Sequence, residues 1–130
     1  MSLFETLALA EAPLVKAPDG SDVRPLVSLA GGSLAHFELA PGKTSIAVAH
    51  RSVEEIWFVT GGRGEMWRKG QEREEITPLA AGVSLTITAG TAFQFRSFGA
   101  EALTMVAITM PPWSGEAEAY EVAGRWPASV

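Results

Sequence analysis

The sequence contains no cysteine, only one tyrosine and only two histidines among its 130 residues. The absence of cysteine excludes disulfides, thiolate metal ligands and a cysteine nucleophile from this sequence. Ten basic residues stand against fifteen acidic ones, which gives a net charge of −5, and no basic cluster occurs. This charge balance argues against a nucleic-acid partner.

Long apolar runs are also missing. No stretch approaches the ~20 residues that span a bilayer, and Glu5 and Glu11 interrupt the N-terminus where a signal peptide would have its apolar core. We therefore expect a soluble, cytoplasmic protein with no membrane partner. The length suits a single domain over residues 1–130. Its core should lie at about 24–110, with an N-terminal segment (1–23) and a C-terminal tail (111–130) packed on that core or on a partner subunit.

Signals for a helix are confined to the N-terminus. Ser2 and Glu5 have the spacing of a capping box, and Leu3 and Phe4 belong to an apolar stripe with helical periodicity. This pattern predicts a short helix over residues 1–12 that docks on the rest of the protein through its stripe.

The remainder of the chain consists of short alternating segments separated by turns. Val83, Leu85 and Ile87 alternate with polar residues, and Phe93 and Phe95 do the same. Such spacing is typical of all-β sandwiches and barrels. It predicts nine strands, at about 24–30, 33–40, 44–50, 55–60, 63–69, 73–78, 83–88, 92–98 and 102–110.

Residues 41–62 stand out because two strand-like segments there carry polar groups on an otherwise apolar face. Val48 and His50 share one face of the first segment, and Glu55 and Trp57 share one face of the second. A histidine and a glutamate that point inward from paired strands would form the polar centre of a pocket.

This spacing resembles the first motif of the cupin superfamily, in which a glycine, two alternating histidines, a glutamate and a closing glycine follow in order. Gly42, His50, Glu55 and Gly62 match that order, whereas Val48 stands at the position of the first histidine.

A segment that resembles the second cupin motif follows about 20 residues later, from Gly82 to Ser97. Gly82 and Gly90 match the motif, whereas Thr88, Phe93 and Ser97 replace its proline, histidine and asparagine. The resemblance covers roughly residues 33–110. It implies an all-β, single-domain cupin: a double-stranded β-helix, or jelly-roll barrel.

The resemblance also indicates what kind of site to expect. Cupins typically hold iron, manganese, nickel or zinc with three histidines and one glutamate. Here only His50 and Glu55 remain, and a catalytic metal needs about three protein ligands. We therefore expect a degenerate metal site and no cofactor; if a divalent metal is bound, His50 and Glu55 are its ligands.

Once the resemblance places His50 and Glu55 inward, alternation adds four apolar residues to the predicted ligand pocket. The complete set is Val48, His50, Glu55, Trp57, Phe93 and Phe95. His50 and Glu55 are also the candidate catalytic pair. Desolvation would raise the pKa of Glu55, whereas a charged His50 would lower it, and the sequence favours neither.

Three functions are compatible with this pocket. The leading hypothesis is a cupin of unassigned specificity that binds a small organic molecule. The alternatives are a metal-dependent dioxygenase or isomerase, and a structural protein with a vestigial pocket. Because Ile56 and Phe58 give the Glu55 strand a second apolar face, we also predict a homodimer.

Overall fold

The computed structural model describes residues 3–130, and most of its regular structure is β-strand. Two single-turn 3₁₀ helices, Leu9–Glu11 and Glu116–Glu118, accompany the strands. No helix within residues 3–130 is both long enough and apolar enough to cross a membrane. In chain order the strands are β1 (Val15–Lys16), β2 (Asp22–Leu29), β3 (Gly32–Leu39), β4 (Val48–His50), β5 (Glu54–Gly61), β6 (Arg63–Lys69), β7 (Glu74–Ala80), β8 (Ser84–Ile87), β9 (Ala92–Phe98), β10 (Leu103–Met110) and β11 (Ala119–Glu121).

The strands form two antiparallel sheets. Sheet A has the order β1-β2-β3-β10-β5-β8, and sheet B has the order β11-β4-β9-β6-β7. From β3 onward the chain passes back and forth between the sheets, which confirms the predicted all-β jelly roll. All nine predicted strands are present, although the one at 44–50 is reduced to β4.

Side-chain alternation places the core between the two sheets. Along β5, Glu55, Trp57 and Val59 are buried, whereas Ile56 and Phe58 face outward. β10 shows the same alternation, and in β9 Phe93 and Phe95 are buried on the inner face, so sheets A and B present facing apolar surfaces whose contact removes them from water.

The four glycines that match the cupin motifs all lie at turns with positive φ: Gly42, Gly62, Gly82 and Gly90. Gly62, between β5 and β6, shows why glycine is required. A Cβ there would lie 2.3 Å from the backbone oxygen of Ala102, and the φ of +76° is unfavourable for other residues. Only glycine therefore fits this turn without strain.

Strand β4 carries His50, and two neighbours hold it in sheet B. It pairs with β9 at Val48 and Phe93, and with β11 in antiparallel register, where Ala119 lies opposite His50. The C-terminal tail therefore contributes to the position of His50.

The buried side chain of Gln94 fastens that tail to sheet B. Its amide nitrogen donates to the backbone oxygens of Ser45 and Trp126, each at 2.8 Å. Its oxygen accepts from the backbone N–H groups of Arg125 and Trp126, at 2.9 and 3.0 Å. All four hydrogen-bonding positions of this amide are satisfied, as a buried polar group requires.

The predicted N-terminal helix is wrong. Of residues 3–12, only Leu9–Glu11 forms a helical turn, and Ser2 of the proposed capping box lies outside the described residues. The apolar stripe does not dock, because Leu3 is 74% and Phe4 100% exposed. A short helix is marginal in water unless one face packs on a neighbour, and these two side chains have no such contact.

The outer face of sheet A carries an exposed apolar patch at its centre. Ile56 lies opposite Ile108, and Phe58 lies opposite Val106, in adjacent rows of β5 and β10. Ile56, Phe58 and Ile108 are 43%, 48% and 41% exposed. Within one copy of the chain this face is therefore not covered, and the homodimer stays a prediction that rests on it.

We expect light scattering at micromolar concentration to give twice the 13.8 kDa mass of one chain. Phe58→Glu should shift the protein to monomer, because a charge buried in an apolar interface is costly. Leu29→Glu, a change at a side chain that is 79% exposed in the β2–β3 hairpin, is the control and should leave the mass unchanged. A wild-type protein that scatters as a monomer would contradict the prediction.

Candidate functional site

A cavity of about 500 Å³ opens between the sheets. β4 contributes Val48 and His50 to its wall, and β5 contributes Glu55 and Trp57. Phe93 of β9 completes the apolar floor. Strands β2 and β3, the loop between β1 and β2, and the segment after β10 supply the remaining sides.

His50 lies deep in this cavity with 4% of its surface exposed. Its imidazole stands edge-on between the rings of Phe93 and Trp113, with centroid distances of 5.2 and 5.3 Å. Its Nδ1 is buried and has no hydrogen-bond partner among residues 3–130. Burial lowers the pKa of His50, against an opposing effect from Glu118, so the ring is neutral at pH 7.

Glu55 faces His50 across the cavity floor. Its Oε1 lies 3.8 Å from His50 Nδ1 and accepts a hydrogen bond of 3.1 Å from the indole N–H of Trp57. Burial raises the pKa of Glu55 to about 7; the Trp57 hydrogen bond opposes this rise, and Asp19 adds to it. Because the imidazole is neutral, the two groups are not an ion pair. The sequence left open the direction in which the pKa of Glu55 shifts, and desolvation determines that the pKa is raised.

Asp19 is a site residue that sequence reasoning missed. It lies in the loop between β1 and β2, is 5% exposed and lines the cavity. Its Oδ1 accepts hydrogen bonds of 2.8 and 2.6 Å from the backbone N–H and hydroxyl of Ser21, yet burial still raises its pKa. The Asp-Gly-Ser sequence indicates a turn, but nothing local shows that the turn folds into the cavity.

Trp113 was also missed as a site residue. It follows two prolines after β10, lines the cavity and contacts His50. Its backbone N–H donates to Ser33 Oγ at 3.0 Å, and that hydroxyl also pairs with the hydroxyl of Thr109. These bonds fix the segment against strands β3 and β10.

Glu118 supports His50 from behind the cavity wall. Its carboxylate accepts hydrogen bonds from the backbone N–H groups of Ser52 and Val53 and from the Ser52 hydroxyl. Burial by itself would raise its pKa, but these hydrogen bonds outweigh burial and lower it, with a smaller contribution from His50. Glu118 thus stays ionised and ties the end of β4 to the tail.

Comparison with known proteins identifies the architecture. Residues 35–109, more than half of the chain, match the family model of the cupin domain. The chain belongs to the cupin family. No curated protein is similar enough in sequence to match this cupin.

Several solved structures share its fold. A variant of Streptomyces PAC13 with uridine, a nucleoside dehydratase, has a TM-score of 0.73 at 15% identity, over 94% of this chain and 92% of that one. KdgF from a Halomonas species has a TM-score of 0.69 at 14% identity, over 84% and 94%. Oxalate decarboxylase from Bacillus subtilis has a TM-score of 0.77 at 11% identity, over 94% of this cupin and 33% of its own chain. At these identities the likeness concerns the fold.

The residues present do not make a complete cupin metal site. Val48 and Phe93, which stand at two histidine positions of the family, are cross-strand neighbours and carry no donor atom. Within residues 3–130 no three His, Cys, Asp or Glu side chains are grouped closely enough to hold a metal ion. His50 and Glu55 are thus two donors where about three are needed.

Five of the six residues predicted for the pocket line the cavity: Val48, His50, Glu55, Trp57 and Phe93. Phe95 does not. It is fully buried beneath Trp57, with the rings edge to face at 5.1 Å. Alternation assigned Phe95 correctly to the inner face of β9. Along that face Phe93 borders the cavity, whereas Phe95, two residues further on, lies in the packed core.

Glu55 should make the free energy of unfolding decrease as pH rises, whereas a carboxyl whose pKa is lowered by folding makes it increase. The folded protein binds its proton more tightly than the unfolded chain, so stability falls as pH rises from about 4.5 to about 7. Each unit of pKa shift corresponds to about 1.4 kcal/mol. The free energy of unfolding of Glu55→Gln, relative to that of the wild type, should therefore increase by roughly 3 kcal/mol from pH 4.5 to pH 8.

Urea unfolding at a series of pH values measures this difference. Asp19 and His50 titrate in both proteins, so their effects largely cancel in the comparison. Glu54→Gln, at the exposed neighbouring position, should follow wild type throughout. A pH-independent difference between Glu55→Gln and wild type would show that the Glu55 pKa is not raised.

The wild-type protein should carry less than one equivalent of transition metal by elemental analysis, because Val48 and Phe93 offer no ligand.

Replacing both, with Val48→His and Phe93→His, adds two imidazoles opposite each other beside His50 and Glu55. The double variant should bind zinc with a micromolar or lower Kd by titration calorimetry.

The matched control places two histidines at another cross-strand pair, with Arg63→His and Ala80→His at exposed positions of sheet B. It lacks the buried carboxylate and imidazole and should bind zinc only weakly. Equal affinity of the two double variants would mean that the four cavity positions do not converge.

Proposed function

We propose that this cupin binds a small organic molecule without an anionic group in the cavity between its sheets. The observation that carries the proposal is a pair of polar side chains on a largely apolar cavity wall: His50 Nδ1 lies 3.8 Å from the Glu55 carboxyl, is buried and has no hydrogen-bond partner within residues 3–130. Buried polar groups are nearly always hydrogen-bonded, so a bound molecule that completes the hydrogen bonding of this pair would stabilise this wall.

The size and lining of the cavity support binding of an organic molecule. Its volume of about 500 Å³ lies within the usual range for small-molecule sites, roughly 300–1,000 Å³. Phe37, Phe93 and Trp113 give it aromatic walls, and Ser33 and Thr109 add hydroxyl groups. Apolar walls with a few convergent polar atoms are the usual composition of such sites.

The charges of the cavity argue against phosphates and carboxylates as ligands. Lys16 is its one lysine or arginine in the described part of the chain. The ammonium of Lys16 pairs with Asp22 at 2.6 Å, and its side chain is 72% exposed. An anion would therefore enter an acidic cavity without a buried positive partner.

A structural protein with a vestigial pocket is less well supported. That hypothesis predicts a barrel whose interior is filled by Phe93 and Phe95. Phe95 instead lies in the core, Phe93 forms part of the floor, and the space above it is open. A metal-dependent enzyme is also less well supported, because the third donor is missing from the described residues.

General acid–base catalysis on the bound molecule is a second candidate function. A carboxyl with a pKa of about 7 beside a neutral imidazole can give up or accept a proton near neutral pH. Dehydration, the reaction class of the structural neighbour PAC13, is one that depends on such transfers. If a bound neutral molecule is converted, Glu55→Gln should still bind that molecule and lose the conversion.

Ligand binding can be tested with uridine, which the neighbour PAC13 binds, and with benzyl alcohol, whose ring and hydroxyl suit the walls. At least one should raise the free energy of unfolding, by about 2.7 kcal/mol at a hundredfold excess over its Kd. Ala35→Trp, which fills the cavity from β3, should abolish the effect.

Leu29→Trp is the matched control, because it adds the same side chain at an exposed position of the β2–β3 hairpin. It should respond to ligand like wild type. The proposal fails if neither molecule stabilises the wild-type protein at millimolar concentration, or if Ala35→Trp is stabilised equally.

A further inference from the structure

The ionisable groups of the cavity are unbalanced in charge. Besides His50, its charged lining residues within the described chain are Lys16, Asp19, Glu55 and Glu116. Lys16 is exposed and paired with Asp22, and Glu116 is exposed at the mouth. Asp19 and Glu55, at 5% and 3% exposure, therefore face the interior with no cation beside them.

Neither buried acid has the partners that an ionised carboxylate requires. Glu55 accepts one side-chain hydrogen bond, from Trp57, and Asp19 accepts two, both from Ser21. Burial raises the pKa of each, and the proximity of Asp19 raises that of Glu55 further. A positive charge placed near both carboxyls would supply the missing partner.

The walls around these acids suit a cation better than a neutral polar group. Trp113 and Phe93 flank His50 at 5.3 and 5.2 Å, and Trp57 and Phe37 line the cavity beside them. Aromatic rings attract cations through the negative charge of their faces. His50 beside them is neutral near pH 7 and therefore adds no competing positive charge.

We propose that the ligand of this cavity is a small organic cation, an amine carried on a compact apolar group, whose charge lies near Asp19 and Glu55. The inference rests on the proposed function, because it names the chemical class of the molecule bound at the same site. The apolar part would occupy the space lined by the aromatic rings, and the ammonium would face the carboxyls.

Binding of such a cation releases a proton from Glu55. Within residues 3–130, the titratable groups that line the cavity with Glu55 are His50 on β4, Asp19 in the β1–β2 loop, Lys16 on β1 and Glu116 in the tail. His50 is already neutral near pH 7, so it takes up no proton in exchange. Affinity for the amine should therefore increase as pH rises through 7, while the amine itself stays protonated.

Three molecules with one ring and different charges test the inference: benzylamine, benzyl alcohol and benzoate. Titration calorimetry of the wild-type protein at pH 8 should give benzylamine an affinity at least about tenfold above that of benzyl alcohol. Benzoate should not bind. From pH 6 to 8 the affinity for benzylamine should rise about tenfold, whereas that for benzyl alcohol should not.

Proton release is measured by repeating the pH 6.5 titration in two buffers of different ionisation enthalpy. Glu55→Gln should abolish the release and most of the preference for benzylamine, whereas Glu54→Gln, on the outside of β5, should retain both. If Glu55→Gln is poorly folded, Asp19→Asn should reduce the preference in the same way.

The outcomes separate this inference from the proposed function. Binding of benzyl alcohol as tight as that of benzylamine would overturn the cation inference and leave small-molecule binding intact. A preference for benzylamine that persists in both Glu55→Gln and Asp19→Asn would also overturn it, because the charge would lie elsewhere. Failure of both benzylamine and benzyl alcohol to bind would overturn the cation inference, and it would overturn the proposed function only if uridine also fails to stabilise the wild-type protein.

Discussion

The side chain of Trp57 joins the two sheets and orients the site at the same time. It stacks on Phe37 of its own sheet at 5.8 Å and meets Phe95 and Phe93 of the opposite sheet edge to face at 5.1 and 6.1 Å. Burial of a large aromatic side chain contributes about 1.5–3 kcal/mol. Since the same indole donates its N–H to Glu55, the orientation of the carboxyl depends on core packing, and a change at Trp57 would disturb both.

The C-terminal tail is the second support of the site. β4 has three residues and only one paired position with β9, so most of its backbone pairing comes from β11. Gln94 fastens the chain beyond β11, and Glu118 caps the backbone between β4 and β5. The strand that carries His50 is therefore held by contacts with residues more than 60 positions away in sequence.

Much of this organisation was readable from the sequence, because period-two alternation and glycine turns are local signals. They located nine strands, and together with the cupin resemblance they placed His50, Glu55, Trp57 and Phe93 on inner faces. Alternation gives the face of a residue but not its depth, and Phe95 was consequently assigned to the pocket instead of the core. Asp19 and Trp113 escaped notice because only the folding of a loop and of the tail brings them to His50.

The electrostatics of the cavity are harder to explain as packing than as function. Replacing a buried, poorly paired acid by an apolar residue of similar volume usually costs nothing or stabilises a protein. Here Val48 and Phe93 already make part of the floor apolar, yet two acids and an imidazole remain in it with unfilled hydrogen-bonding capacity. Local choices that lower stability are expected where a site has a task. The pKa of Glu55, which burial raises to about 7, shows that the fold loses stability by burying this carboxyl. The function of the site is therefore expected to involve Glu55.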